Sequence, residues 1–365
     1  MPEQSKRGYL VLADISGYTS FLAKVELEHA HEILTDLLEV IVERFQSLLT
    51  ISKLEGDAVF AYVGETKISR GEILLELIES TYTAFRQRRD TSNRSTTCSC
   101  KACQSMPSLE LKFFVHCGSF IVQHVAGIQE LVGSDVNLAH RLMKNHVTEH
   151  TGWKAYSLFT KYAMECLGLK IDDVHDQIES YEHLGDIATV TINLLPRYEA
   201  LAASRQYYFS DNDVDITVPH EFNVSDVELW QILTSTEILT AMMENTKWLT
   251  VNLPGGRTGV GAQNHCLHGK GVMRLTIVDW HPFTYFTAHG IDGRQKFYQM
   301  YEIKPFPDNA GSILYWRWKA DMGLPRWLGK IMGATVGKMI GIQFCKMVEN
   351  YIANAQKPTF LPETE

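Results

Sequence analysis

Excess basic charge is what this sequence lacks: 34 Lys and Arg stand against 43 Asp and Glu, for a formal net charge of −9. A phosphate backbone demands a basic footprint, so nucleic-acid binding is excluded as the main function, while nucleotide binding through metal ions survives that objection. No opening segment joins a basic flank to an apolar run, so no signal peptide is expected and a cytoplasmic setting is the default. Only seven cysteines occur, an odd and unevenly clustered set that indicates reduced thiols or metal ligands rather than a disulfide framework. The one apolar stretch long enough to raise a membrane span, 325–355, is interrupted by Lys330, Lys338 and Lys346. Charges at that regular interval are costly in a bilayer, so a packed amphipathic helix is expected and no membrane span.

What is present suits packed cores. The 365 residues suffice for two domains of ordinary size, and 45% are hydrophobic against 21% charged. The stretch Leu10-Val11-Leu12-Ala13-Asp14-Ile15-Ser16-Gly17-Tyr18-Thr19 runs an apolar strand into a carboxylate and a glycine turn. About forty residues later, Lys53-Leu54-Glu55-Gly56-Asp57-Ala58-Val59-Phe60 places a second Asp at a glycine turn between two strand-like runs. Such an arrangement can bring two carboxylates to one sheet edge, where hard oxygen ligands suit Mg²⁺ or Mn²⁺. Asp beside glycine also caps turns with no metal at all.

A strand over 9–14 is followed by apolar positions at helical spacing from Ile33 to Leu49, then a hairpin of 51–54 and 58–63, then a helix over 71–89. This order is an α/β pattern. A polar segment from Arg86 to Pro107 breaks it, holding Cys98, Cys100 and Cys103 within six residues. Three thiolates make most of a tetrahedral Zn²⁺ site, with His116 and Cys117 as the nearest further ligands by sequence; solvated reduced thiols are the alternative. Residues 113–118 and 120–125 are expected as a strand pair. Asn137 and Arg141, four apart, share a helix face. Residues 154–158, a short helix through Cys166 and residues 188–194 complete the domain.

Three motifs, Ala13 to Thr19, Lys53-Leu54-Glu55-Gly56-Asp57, and Gly133-Ser134-Asp135-Val136-Asn137-Leu138-Ala139-His140-Arg141, together resemble the catalytic domain of class III nucleotide cyclases over roughly residues 8 to 195. The resemblance implies a ferredoxin-like cyclase domain, within an α+β chain, converting ATP to cyclic AMP and pyrophosphate. It implies that Asp14, Asp57 and the Ile15 carbonyl hold the metal ions and that Asn137 orients the ribose. By the same resemblance Arg141 contacts the phosphates, and Lys53 and Glu130 read the purine. An ammonium beside a carboxylate complements adenine, so ATP is favoured over GTP. Glu130 departs from the family's usual Asp by one methylene. The triphosphate-holding Lys of the family has no match around Glu182-His183-Leu184-Gly185-Asp186, which keeps open a catalytically weak or inactive nucleotide-binding and dimerisation module. Because the family's sites draw residues from two subunits, a homodimer is implied.

The domain division expected is 1–200, with a Cys-rich insertion near 90–107, a linker over 201–213, and a second domain over 214–365. That second stretch has apolar runs of strand length separated by turns, a helical pattern over Asp226 to Leu239, and a closing helix over 325–355. With Val224-Ser225-Asp226-Val227-Glu228-Leu229-Trp230 and Gly255-Gly256-Arg257-Thr258-Gly259-Val260-Gly261, it looks like the helix-grip fold of START-like (SRPBCC) ligand-binding proteins. Such a fold implies a cavity for an apolar small molecule. Six of the chain's seven tryptophans lie here, most of them expected as ordinary core.

Overall fold

The computed structural model describes residues 5–23, 27–95, 101–125, 127–203, 207–243, 246–269, 271–307, 311–321, 330–331, 335 and 337–355. Contacts divide the chain into two compact units, Met1–Ala203 with Gly255–Arg257, and Ser204–Pro254 with Thr258–Glu365. The first unit runs β1 (Lys6–Ser16), α1 (Tyr18–Leu22), α2 (Leu27–Gln46), β2 (Thr50–Glu55), β3 (Ala58–Gly64), α3 (Glu72–Ser95), α4 (Lys101–Ser105), β4 (Glu110–Val125), β5 (Ile128–Val132), α5 (Ser134–Arg141), α6 (Val147–Thr151), β6 (Tyr156–Thr160), α7 (Lys161–Leu167), β7 (His175–Tyr181), β8 (Gly185–Asn193) and α8 (Leu195–Ala203). Its sheet has the order β2-β3-β1-β4-β6-β8-β7, with β5 paired to β4 off that path. The β4–β6 pair is parallel.

β1 is apolar on both faces because both faces are covered. Leu10 and Leu12 join Phe60, Phe114, Tyr156 and the Val136 and Ala139 side chains of α5 in one core. On the other face Phe45 of α2 meets Phe113, ring centroids 6.2 Å apart. Register then orders the first face in rows. Asp14 lies opposite Ala58 on one side and Lys112 on the other, and Lys112 lies opposite Tyr156.

Several sequence expectations change here. Residues 113–118 and 120–125 are not a strand pair but parts of the single 16-residue β4. Gly118, at the join of the two expected strands, is a point of close approach, since a Cβ there would come within 2.5 Å of the Asp135 side chain. The polar residues after Arg86 do not begin a loop, because α3 continues to Ser95. Their charges are directed inward: Arg86 and Arg89 lie 2.6 and 2.9 Å from the Glu110 carboxylate. Cys98 and Cys100 fall outside the described residues, as does the side chain of Cys103. The edge strand β7 carries too few apolar residues to stand out in sequence, as sheet edges tend to.

The second unit comprises β9 (Ile216–Phe222), α9 (Asp226–Thr234), α10 (Thr236–Met242), β10 (Thr246–Asn252), β11 (Gln263–His268), β12 (Gly271–His281), β13 (Tyr285–Asp292), β14 (Gln295–Pro305), β15 (Ser312–Ala320) and α11 (Lys338–Ala355). Its seven strands form one antiparallel sheet in the order β10-β11-β12-β13-β14-β15-β9. The helix expected over 226–239 is two helices, because Ser235 leaves helical geometry and its hydroxyl accepts from the Ile238 N–H to cap α10. In α11 the buried set Gly341, Phe344, Cys345, Val348 and Ile352 recurs at helical spacing. Gly341 is where that helix meets the sheet most closely, since a Cβ there would sit 2.4 Å from the Trp316 ring. The start of the closing helix expected at Pro325 lies outside the described residues. No helix of the described residues is long and apolar enough to cross a membrane.

Candidate functional site

β1 delivers Asp14 to the end of the sheet, and Gly17 then turns the chain at φ 92°, a left-handed conformation that glycine adopts freely. Asp57 enters from the β2–β3 turn, where Gly56 has φ 67°. The two segments are tied by the Ile15 N–H, which donates to the Asp57 carbonyl at 3.1 Å. Burial, and then the neighbouring charge of Asp57, push the Asp14 carboxyl up to about 6, against the pull of Lys112. Burial also raises the Asp57 carboxyl. The two carboxyls thus share one partly desolvated corner of the sheet.

Lys112 is the residue of this corner that motif reading missed. Its ammonium lies 3.4 Å from the Thr148 hydroxyl and 5.1 Å from the Tyr156 ring centre. Burial lowers its pKa, and Asp14 pulls it back. The available signal was a single Lys inside the apolar run Leu109 to Val115, but only strand register shows that it faces Asp14.

A second cluster forms beside the first. Lys53 lies 2.9 Å from Glu55 and 3.1 Å from Glu130, and the Glu55 hydrogen bond heads the causes that hold the Lys53 ammonium above its usual range. Lys53 and Glu130 are therefore brought together from 77 residues apart. A bulge between Ile51 and Lys53 sets Lys53 opposite Phe60, hence on the Asp14 face. Glu55 and His140 belong to this cluster too, with His140 Nδ1 at 3.3 Å from Glu55 and its ring 4.6 Å from that of Phe60.

Asn137 and Arg141 occupy the exposed side of α5. Among the described residues neither side chain makes a hydrogen bond or ion pair with Asp14, Asp57, Lys53 or Glu130. Asp135, from the same motif, fastens α5 to β4, because its Oδ2 accepts the Ser119 N–H at 2.7 Å and its Oδ1 lies 3.4 Å from His116. The Glu182–Asp186 segment is a hairpin turn between β7 and β8, and Asp186 there accepts from the Ser180 hydroxyl at 2.6 Å. His116 is held between Asp135 and Thr160, the latter at 3.0 Å.

Metal-free Asp14→Asn is expected to be more stable than the parent at pH 8, by on the order of 1–2 kcal/mol after allowing for partial solvation. A carboxyl raised from its usual 3.8 to about 6 favours the folded state fully below 3.8 and loses that contribution as pH rises through 6. The advantage of the Asn variant should therefore fade on acidification toward pH 4. Urea unfolding in chelator across that range checks it, and equal stabilities at pH 8 would show that Asp14 is not strained by burial.

A family model described as "Protein of unknown function (DUF2652)" matches residues 34–151, which fall on this first unit. An uncharacterized protein of Mycobacterium tuberculosis is 29% identical over 164 residues, covering 44% of this chain and 73% of that protein. Solved structures match about half of the chain at low identity. The guanylyl cyclase Cya2 matches with a TM-score of 0.42 at 15% identity, covering 52% of this chain and 93% of that one. A bacterial light-regulated adenylyl cyclase matches with a TM-score of 0.40 at 14% identity, covering 53% of this chain; the chain spans 54% of that protein's length.

Proposed function

We propose that the first unit is a nucleotide cyclase that acts on a purine nucleoside triphosphate, ATP in preference to GTP, and releases pyrophosphate from a homodimer. The observation that carries the proposal is the crowding of Asp14 and Asp57 at one sheet corner, close enough that one acid's charge raises the other's pKa. Two hard carboxylates with the Ile15 carbonyl alongside are a donor set that fits Mg²⁺ or Mn²⁺. These groups would hold a divalent ion, which would supply positive charge for the polyphosphate and the attacking ribose oxygen.

The chain's own groups do the rest. Lys53 donates to an adenine ring nitrogen and Glu130 accepts from the exocyclic amine, so the ion pair they form with each other opens to admit the base. Lys112 adds a cation beside Asp14, in a chain that offers no lysine at the β7–β8 turn. Among the described residues Asn137 and Arg141 make no hydrogen bond or ion pair with this corner, and they serve the partner's site, where the planar Arg fork meets developing phosphate charge. Incubating the purified chain with Mn²⁺ and either ATP or GTP, then separating the products, tests this reading. Formation of cyclic AMP supports it; no cyclic product from either nucleotide, with metal bound and dimers intact, overturns it.

A second reading is favoured by one observation in the other unit, a cavity of about 930 Å³ lined by Trp248, Leu275, Trp280, Phe297, Trp316 and Phe344 among others. That volume and lining suit an apolar small molecule between sheet and helix, as the helix-grip resemblance implies. On this reading the chain is a ligand-binding protein and its first unit a dimerising, nucleotide-sensing module without turnover. Ala288, on the cavity wall, is 4% exposed. Ala288→Trp is expected to take up part of the space and weaken uptake of an apolar fluorescent probe by about tenfold or more, the loss of roughly 1.4 kcal/mol. Unchanged probe affinity would place the ligand elsewhere.

A further inference from the structure

We propose that Glu65, Cys117 and Cys166 form a zinc site at the end of β1 opposite to Asp14. Their ligand atoms all lie within 4.8 Å of one another. They come from three separate elements, Cys117 from β4, Cys166 from α7 and Glu65 from the segment after β3, so tertiary folding alone assembles them. Sequence proximity pointed Cys117 toward the Cys98–Cys103 segment; among the described residues the fold brings Cys166 to it.

The cluster already gathers a cation. Arg7 Nε donates to Glu65 at 3.0 Å, and Arg7 Nη2 lies 3.4 Å from the Cys166 sulfur and 3.8 Å from the Cys117 sulfur. The guanidinium therefore lies against all three candidate ligands, and its Nη2 also donates to the Tyr162 hydroxyl at 2.7 Å. The Arg7 and Glu65 side chains are 44% and 39% exposed, so the guanidinium can withdraw toward solvent when a metal takes its place. Two thiolates and one carboxylate are a zinc donor set, and tetrahedral bonds of about 2.0–2.3 Å put ligand atoms roughly 3.3–3.8 Å apart, within the spacing found. Soft sulfur donors disfavour Mg²⁺ and Ca²⁺. Three protein ligands leave the fourth position to water.

This site is separate from the proposed nucleotide corner. Arg7 and Asp14 lie seven residues apart on β1, roughly 23 Å at about 3.3 Å per residue. A zinc ion here would clamp β4, α7 and the end of β3, and its uptake would release the thiol protons.

The test uses the full chain carrying Cys98→Ser, Cys100→Ser and Cys103→Ser, so that those thiols cannot bind metal. After chelation and reduction, Zn²⁺ is titrated by calorimetry and Co²⁺ by absorption. One equivalent of zinc, a thiolate-to-cobalt charge-transfer band and a rise in Tm on zinc addition are expected. Cys166→Ser is expected to weaken binding by more than about 100-fold, beyond what loss of an outer partner causes. Glu65→Gln, which keeps a neutral oxygen in place, should weaken it by about tenfold or more. Cys117 is fully buried and its replacement can unfold the chain, so the two partly exposed ligands carry the decision. The proposal is overturned by absence of stoichiometric zinc in the triple-Ser chain. Affinity unchanged in Cys166→Ser or in Glu65→Gln overturns it equally, as does a Cys117–Cys166 disulfide in the protein as isolated.

Discussion

Asp57→Asn is expected to lower cyclic-nucleotide formation by about a thousand-fold or more, the equivalent of about 4 kcal/mol of lost charge stabilisation. The variant should stay folded, because the Ile15 N–H is held by the main-chain carbonyl of Asp57 and not by its side chain. Removal of a charge whose burial is unfavourable adds nothing to unfold it. Arg141→Ala is expected to fall by a similar factor through loss of phosphate contacts from the partner, with binding of metal unchanged. Mixing the two inactive proteins supplies the sharper result. In a twofold dimer with shared sites, random exchange makes half of the dimers mixed, each with one intact site of two, so about a quarter of the parent rate should return. No recovery after demonstrated subunit exchange would show that one chain holds the complete site, and equal activity of Asp57→Asn and parent would end the metal-carboxylate reading.

Glu79→Ala is expected to destabilise the first unit by about 3–5 kcal/mol, the range for breaking a buried ion pair and stranding its partner. Glu79, 2% exposed, accepts from both terminal nitrogens of Arg257 at 2.6 and 2.7 Å and from Arg197 Nε at 3.2 Å. Burial alone would push this carboxyl up, but the Arg257 and Arg197 guanidiniums outweigh it and hold it below the usual carboxylate range. Stability from a depressed carboxyl is present above its unfolded pKa and lost as pH falls through the folded one. The variant and parent should therefore converge in acid, below the ordinary value of 4.5. Urea denaturation followed by circular dichroism at pH 7 and pH 3 measures both points. A loss under 1 kcal/mol at pH 7 would mean that Arg257 reaches water when Glu79 is gone.

Much of the first unit was legible before folding because its signals are local. The run from Leu10 to Asp14 is apolar without alternation, and its strand lies in a sheet interior with helices on both faces. Gly17 and Gly56 mark turns that do adopt left-handed geometry. Where reading failed, the same residue types served non-local ends. Gly118 answers the Asp135 side chain packed on it rather than ending a strand, and Arg86 and Arg89 neutralise Glu110 inside the unit rather than marking a loop. β10, like β7, is a sheet edge whose side chains are largely exposed, so no apolar run announces it.

By itself the sequence determined the strand that carries Asp14, the glycine turn that carries Asp57, and the helix face shared by Asn137 and Arg141, since each depends on neighbours within a few residues. Tertiary structure decided which of these groups meet. The Ile51–Lys53 bulge turns Lys53 to the face where Glu130 and His140 wait, strand register sets Lys112 against Asp14, and three distant segments bring Glu65, Cys117 and Cys166 together. The physical reason is the two-residue period of a strand: a shift of one residue, invisible in composition, moves a side chain to the opposite side of the sheet.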